Sequence, residues 1–276
     1  MKRFTACTLS AAALALLAGC ASAPRMGAQP SDTPPRLVLT EKKDPSTGKL
    51  LLDWDRPGAF GAVNGTLKAL GDGACMSARV DLEALGYHPK ALDENGQPMN
   101  GGGFYCYPRK NGEKPDAIPP RLVYDAAADG SGRRLLAWDR PGAFGKVPAE
   151  LQARGDVACL LADIALEAIA YHPKARDVDG QALSGGGFYC WRKKRGTAPA
   201  EESPRLVRQG GQLTWDRPRA FGAVPPERQS AGDRVCGAQQ QAIGYHPSVL
   251  DEEGRLIEGG GFFCGPRTND GVKRRT

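Results

Sequence analysis

A glycine triplet running into two aromatics and a cysteine stands three times in this chain: GGGFYC at 101–106 and 185–190, and GGGFFC at 259–264. It belongs to a longer recurrence. WDRPGAFG occupies 54–61 and 138–145, and WDRPRAFG occupies 215–222. Trp54, Trp138 and Trp215 each lie 21 residues before a cysteine, and Tyr87, Tyr171 and Tyr245 each lie 19 residues before another. Only the first cysteine to tyrosine interval changes, from 12 and 12 to 9. Such fixed spacing marks one small unit written three times, at 35–107, 120–191 and 204–267.

Within a unit the pattern predicts an α+β module of order β-β-α-β. Two short strands flank Gly210-Gly211, a hairpin signal. In the second unit Val157, Leu160, Leu161, Ile164 and Ala168 form one apolar stripe, which predicts a helix over 156–169. Asp72, Asp156 and Asp233 each follow a glycine and are placed at its N-cap. The shorter third interval then removes about one turn of helix, a turn being ~3.6 residues. Tyr-His-Pro ends the helix, since the residue before proline avoids helical geometry. DENG, DVDG and DEEG follow as turns, each able to form a second small hairpin. The last strand begins at the glycine triplet. Segments 108–119 and 192–203 are read as linkers.

Six cysteines fall two to a unit: Cys75 and Cys106, Cys159 and Cys190, Cys236 and Cys264. Fifteen pairings are formally open. A repeated unit should close on itself, which selects one bond per module, from the first turn of the helix to the last strand. Modules this small have limited cores and gain from a staple. Zinc is the competing use, yet there is no CxxC and each module offers three ligands rather than four. A redox thiol also lacks its CxxC partner.

The chain begins with Lys2 and Arg3, a short apolar run over 9–18, and Leu17-Ala18-Gly19-Cys20. The run is too short to span a bilayer, and 1–19 reads as an export signal. Leu17 to Cys20 resembles the lipobox of bacterial lipoproteins. That resemblance implies cleavage before Cys20, its acylation, and a partner in the lipid bilayer. Ala21 implies the outer membrane, facing the periplasm or the cell surface. Residues 20–34 then read as a tether and 268–276 as a basic tail. Without the signal, 35 basic residues oppose 31 acidic ones, a balance too even and diffuse to indicate nucleic acid.

Two motifs invite a functional reading. In Trp54-Asp55-Arg56, Trp138-Asp139-Arg140 and Trp215-Asp216-Arg217, an aromatic platform with polar neighbours suits a sugar or ring. The competing reading, preferred here, puts the tryptophan in the core and uses Asp and Arg to brace a loop. His88, His172 and His246 are the only histidines. A general base is one use; a hydrogen-bonded histidine at a helix end is the simpler one. DENG and its counterparts lack the full calcium-loop pattern, and the glycine triplets lack the Gly-Lys-Ser/Thr of a phosphate loop. No metal or cofactor is expected. The expectation is a non-enzymatic envelope lipoprotein that binds peptidoglycan, an envelope polysaccharide or another envelope protein through three similar modules. The alternative is an envelope hydrolase built on Asp55, Arg56 and His88 or their counterparts.

Overall fold

The computed structural model describes residues 26–43, 50–128 and 134–267. Residues 1–19, read as an export signal, Cys20 and the tail 268–276 lie outside the described residues. In the first module β1 (Leu37–Lys43) and β2 (Leu50–Trp54) form a hairpin, followed by a 3-10 turn at Pro57–Ala59 and a short β3 (Gly61–Ala62). Then come α1 (Gly65–Ala78), β4 (Leu82–His88) and β5 (Gly103–Pro108). The second module repeats this as β6 (Leu122–Ala128), β7 (Arg134–Trp138), α2 (Ala149–Ala162), β8 (Leu166–His172) and β9 (Gly187–Arg192). The third comprises β10 (Leu206–Gln209), β11 (Gln212–Trp215), α3 (Gln229–Cys236), β12 (Gln240–His246) and β13 (Gly261–Pro266). In each module the hairpin and the later antiparallel strands are separate small sheets, the later one a pair in modules 2 and 3 and three strands, β3-β4-β5, in module 1.

The fold is mixed α and β with one disulfide per module, joining Cys75 to Cys106, Cys159 to Cys190 and Cys236 to Cys264. Each sulfur bridge leaves the last turn of the helix, not the first, because the helix starts earlier than the apolar stripe suggested. Asp72, Asp156 and Asp233 are therefore not N-caps. They lie inside their helices, and Asp156 Oδ1 accepts from the Ala168 N–H of β8 at 3.1 Å and from Gln152 Nε2 at 3.0 Å. Asp72 and Asp233 accept from Ala84 and Ala242 in the same way. A buried carboxylate thus pins helix to strand, and burial raises the pKa of Asp156. Residues 166–169 belong to β8 rather than to a helix. Asp163 is extended at the C-cap (φ −156°), and the chain beyond alternates buried and half-buried residues, the two-residue period of a strand.

α3 has eight residues where α1 and α2 have 14. The three residues missing from the third module are its counterparts of Leu160-Leu161-Ala162. In addition, its first turn is 3-10, at Pro226–Arg228, as proline at a helix start permits.

The glycine triplet has two separate tasks. Gly185 and Gly186 take φ of +79° and +80°, open to glycine at little cost. Gly187 is small so that Trp138 and Ala175 can close over it: a Cβ there would lie 2.8 Å and 2.7 Å from them. DVDG is an Asx-turn, with Asp177 Oδ1 accepting from Asp179 N and Gln181 N at 3.0 and 2.8 Å. It closes on a single bridge, Arg176 to Ala182, rather than a second hairpin.

Segments read as linkers and tether lie against the modules. Ser31 N donates to Ala59 O, Asp116 N to Ala143 O and Ala200 N to Ala220 O. A Cβ on Gly61, Gly145 or Gly222 would strike this passing backbone at 2.4–2.5 Å. The segments carry proline and few apolar side chains, so their packing is through the main chain and leaves little trace in composition.

Candidate functional site

The tryptophans are half-buried and pack on the central phenylalanine: Trp54 on Phe60 and Trp138 on Phe144 edgewise, ring centroids 4.9 Å apart, and Trp215 on Phe221 tilted, at 5.1 Å. Trp54 Nε1 donates to Phe104 O at 3.1 Å and Trp215 Nε1 to Phe262 O at 3.3 Å. Asp55, Asp139 and Asp216 close the base of each hairpin, accepting from Arg36, Arg121 and Arg205 N at 2.8, 2.8 and 2.7 Å. Arg56 donates to Pro34 O, Arg140 to Pro119 O and Arg217 to Ser203 O. These pairs brace the entry to each module.

The histidines do not stand at helix ends. His88, His172 and His246 close strands β4, β8 and β12, and each is 1 % exposed. In His172, Nδ1 accepts from Lys174 N at 3.1 Å, so Nε2 carries the hydrogen and donates to Asp116 O at 3.0 Å. His88 and His246 repeat both bonds, to Ser31 and Ala200. Both nitrogens are used, and neither faces an open cleft. The Asp-Arg pairs lie at the module surface instead, so the two motifs do not converge. Among the described residues no group of three or more His, Cys, Asp or Glu could hold a metal ion.

What stays open to solvent is the outer face of each first hairpin. Leu39 (64 % exposed) pairs with Leu52 (47 %), and Tyr124 (56 %) with Leu136 (54 %); Leu213, opposite Arg208, is likewise exposed. The sequence carries this signal as a leucine two residues before each tryptophan.

The seams between modules are the second repeated surface, and sequence reasoning missed them. At the first seam Met76, with Val80 beside it, packs into Phe144, Ala170 and Tyr189 of module 2. At the second, Leu160, Val157 and Ile164 pack into Phe221, Ile243 and Phe263 of module 3. Ile169 and Ile243 sit at β-bulges, a device that re-aims a side chain, here toward the preceding helix. A cation completes each seam. Arg109 Nη1 donates to Gly142 O and Phe144 O at 2.5 and 2.7 Å, and Lys193 Nζ to Phe221 O at 3.0 Å. The seams are also size-matched. Gly73 lies under Trp191, whereas at the second seam Leu161 lies over Gly265.

Burial pushes Lys193 down to about 8, with Arg195 adding to the effect, while an unfolded lysine titrates near 10.5. Between these values the unfolded chain holds more protons. Stability carried through this residue therefore rises with pH, and its cost is full below pH 8. Relative to Lys193→Met, the natural chain should gain about 2 to 3 kcal/mol in unfolding free energy between pH 7.5 and 10.5. Urea titrations of both proteins at the two pH values check this.

Comparison with known proteins finds no matching family model, no similar curated protein and no similar solved structure.

Proposed function

We propose that this chain is a cell-envelope lipoprotein held by acylated Cys20, exported and facing the periplasm or the cell surface. It acts without catalysis, binding or scaffolding an envelope component through its three modules. The observation that carries the reading is the exposed leucine two residues before the tryptophan on the first hairpin of each module, Leu52, Leu136 and Leu213. Packed seams hold the modules in fixed order, so three weak contacts add as avidity. The hydrolase alternative gains no support, since the Asp, Arg and His it needs are engaged with backbone.

The test has two arms. Cys20→Ser should release the chain from the membrane fraction, and the mass of the natural amino terminus should include acyl chains. The chain from residue 21 onward should be retained by one of purified peptidoglycan, envelope polysaccharide or immobilised envelope protein. Leu39→Ser, Leu52→Ser, Leu136→Ser and Leu213→Ser together should weaken that retention at least tenfold with the melting temperature kept. Equal retention by the two proteins would remove the hairpin faces from the explanation.

A further inference from the structure

The same surface is covered in modules 2 and 3 and open in module 1. In modules 2 and 3 the 3-10 turn, the bulged isoleucine and the strand aromatic receive the helix end and cation of the preceding module. Among the described residues no helix end or cation stands against the same face of module 1. Its Pro57 is exposed where Pro141 and Pro218 are buried. A Cβ on Gly58 would meet nothing within 4 Å, while one on Gly142 would lie 3.2 Å from Asp72 of module 1. Tyr105 is half-buried where Tyr189 and Phe263 are buried. Met26 covers one corner, lying over Gly86 as Ile164 lies over Gly244. The places of Leu160 and Lys193 are not filled by any described residue.

A second copy of the chain is poorly equipped to fill them. The third module lacks the three residues that include the plug, Met76 or Leu160 in its predecessors. Ala238 stands where Val80 and Ile164 stand. The cation of this position, Arg267, is exposed and turned back onto Gln240 O at 3.2 Å. An open groove of about 310 Å³, lined by Asp233, Arg234, Gly237, Ala238 and Arg267, lies where the plug would be. Head-to-tail contacts that do not close make fibres, and end repeats of an array differ so as to stop it.

We propose that the open face of module 1 is a receptor for a different protein, one presenting a helix end with an aliphatic side chain and an adjacent arginine or lysine. This is the chemistry that modules 1 and 2 present to their successors, and the proposal extends an interface the fold already uses twice. It does not depend on the hairpin faces or on the lipid anchor. The shortened third module is the matching terminator: it keeps copies of the chain from occupying each other's receptors.

Two experiments test it. Restoring the plug, by inserting Leu-Leu-Ala after Cys236 with Ala238→Ile, should turn the chain into oligomers whose mass grows with concentration. Leu85→Asp in that same protein should abolish them. A plug-restored chain that folds but keeps the mass of the natural one overturns the receptor. Should the insertion prevent folding, the natural chain decides. A photo-crosslinking residue at position 58, where there is room and φ is negative, is activated in intact cells. The expected product joins position 58 to a helix end of another protein bearing an aliphatic residue and a cation. A product with a second copy, a product with residues 20–25 of the same chain, a foreign adduct of other chemistry, or no product overturns it.

Discussion

Leu160→Ala should lower the unfolding free energy by about 3 to 4 kcal/mol, a loss in the usual range for a leucine deleted from a packed core. Leu160 is 0 % exposed and belongs to one buried cluster with Phe221, Ile243, Val249 and Phe263, all in the next module. The damage should therefore appear in module 3, whose helix is the shortest. Leu161→Ala, one residue on and 38 % exposed, should cost less than about 1 kcal/mol. Hydrogen exchange resolved along the chain, together with denaturant unfolding, checks both. Under Leu160→Ala, β12 and β13 should lose protection before β8 and β9. Equal losses at the two leucines would mean that the seam is not a packed core.

Opening the middle disulfide by Cys159→Ala with Cys190→Ala should cost about 3 to 4 kcal/mol on the chain-entropy account of a loop this long. The bond spans 31 residues and joins the end of α2 to β9 at a Cα separation of 5.5 Å. Cys159 is itself 0 % exposed, so alanine also leaves unfilled volume, which adds to the loss. The neighbouring residue Leu160 is the plug of the second seam. Loosening the helix end should therefore weaken module 3 as well as module 2. Thermal unfolding of the double variant is the measurement, with mass mapping of the non-reduced protein to confirm that the other two bonds remain. A loss below about 1 kcal/mol would show that the apolar core alone holds the module.

The two expectations differ in how legible their origins were. The cysteine pairing followed from spacing within one chain, because a bond that closes each repeat is the only pattern compatible with three equal copies. The helix was misplaced for an instructive reason. Val157, Leu160 and Ile164 fall on a helical period because all three touch module 3, yet Ile164 lies beyond the end of α2. The stripe recorded a contact surface, and it ran past the element it was taken to define. Ala168, Ala170 and His172, buried at every second place, carried the strand signal in a run whose one β-branched side chain is Ile169.

Local order was therefore readable: hairpins at glycine turns, Asx-turns at DENG and its counterparts, three units, three bonds within units. Each of these depends on residues near one another or on strict repetition, and such information survives in one dimension. Whether a tryptophan faces solvent, which carbonyl a histidine holds, and why the third copy is three residues shorter are questions about neighbours 28 to 56 residues away. Only packing answers them. The missing turn reads as a mere shortening until the preceding copies show that it is the part inserted into the next module.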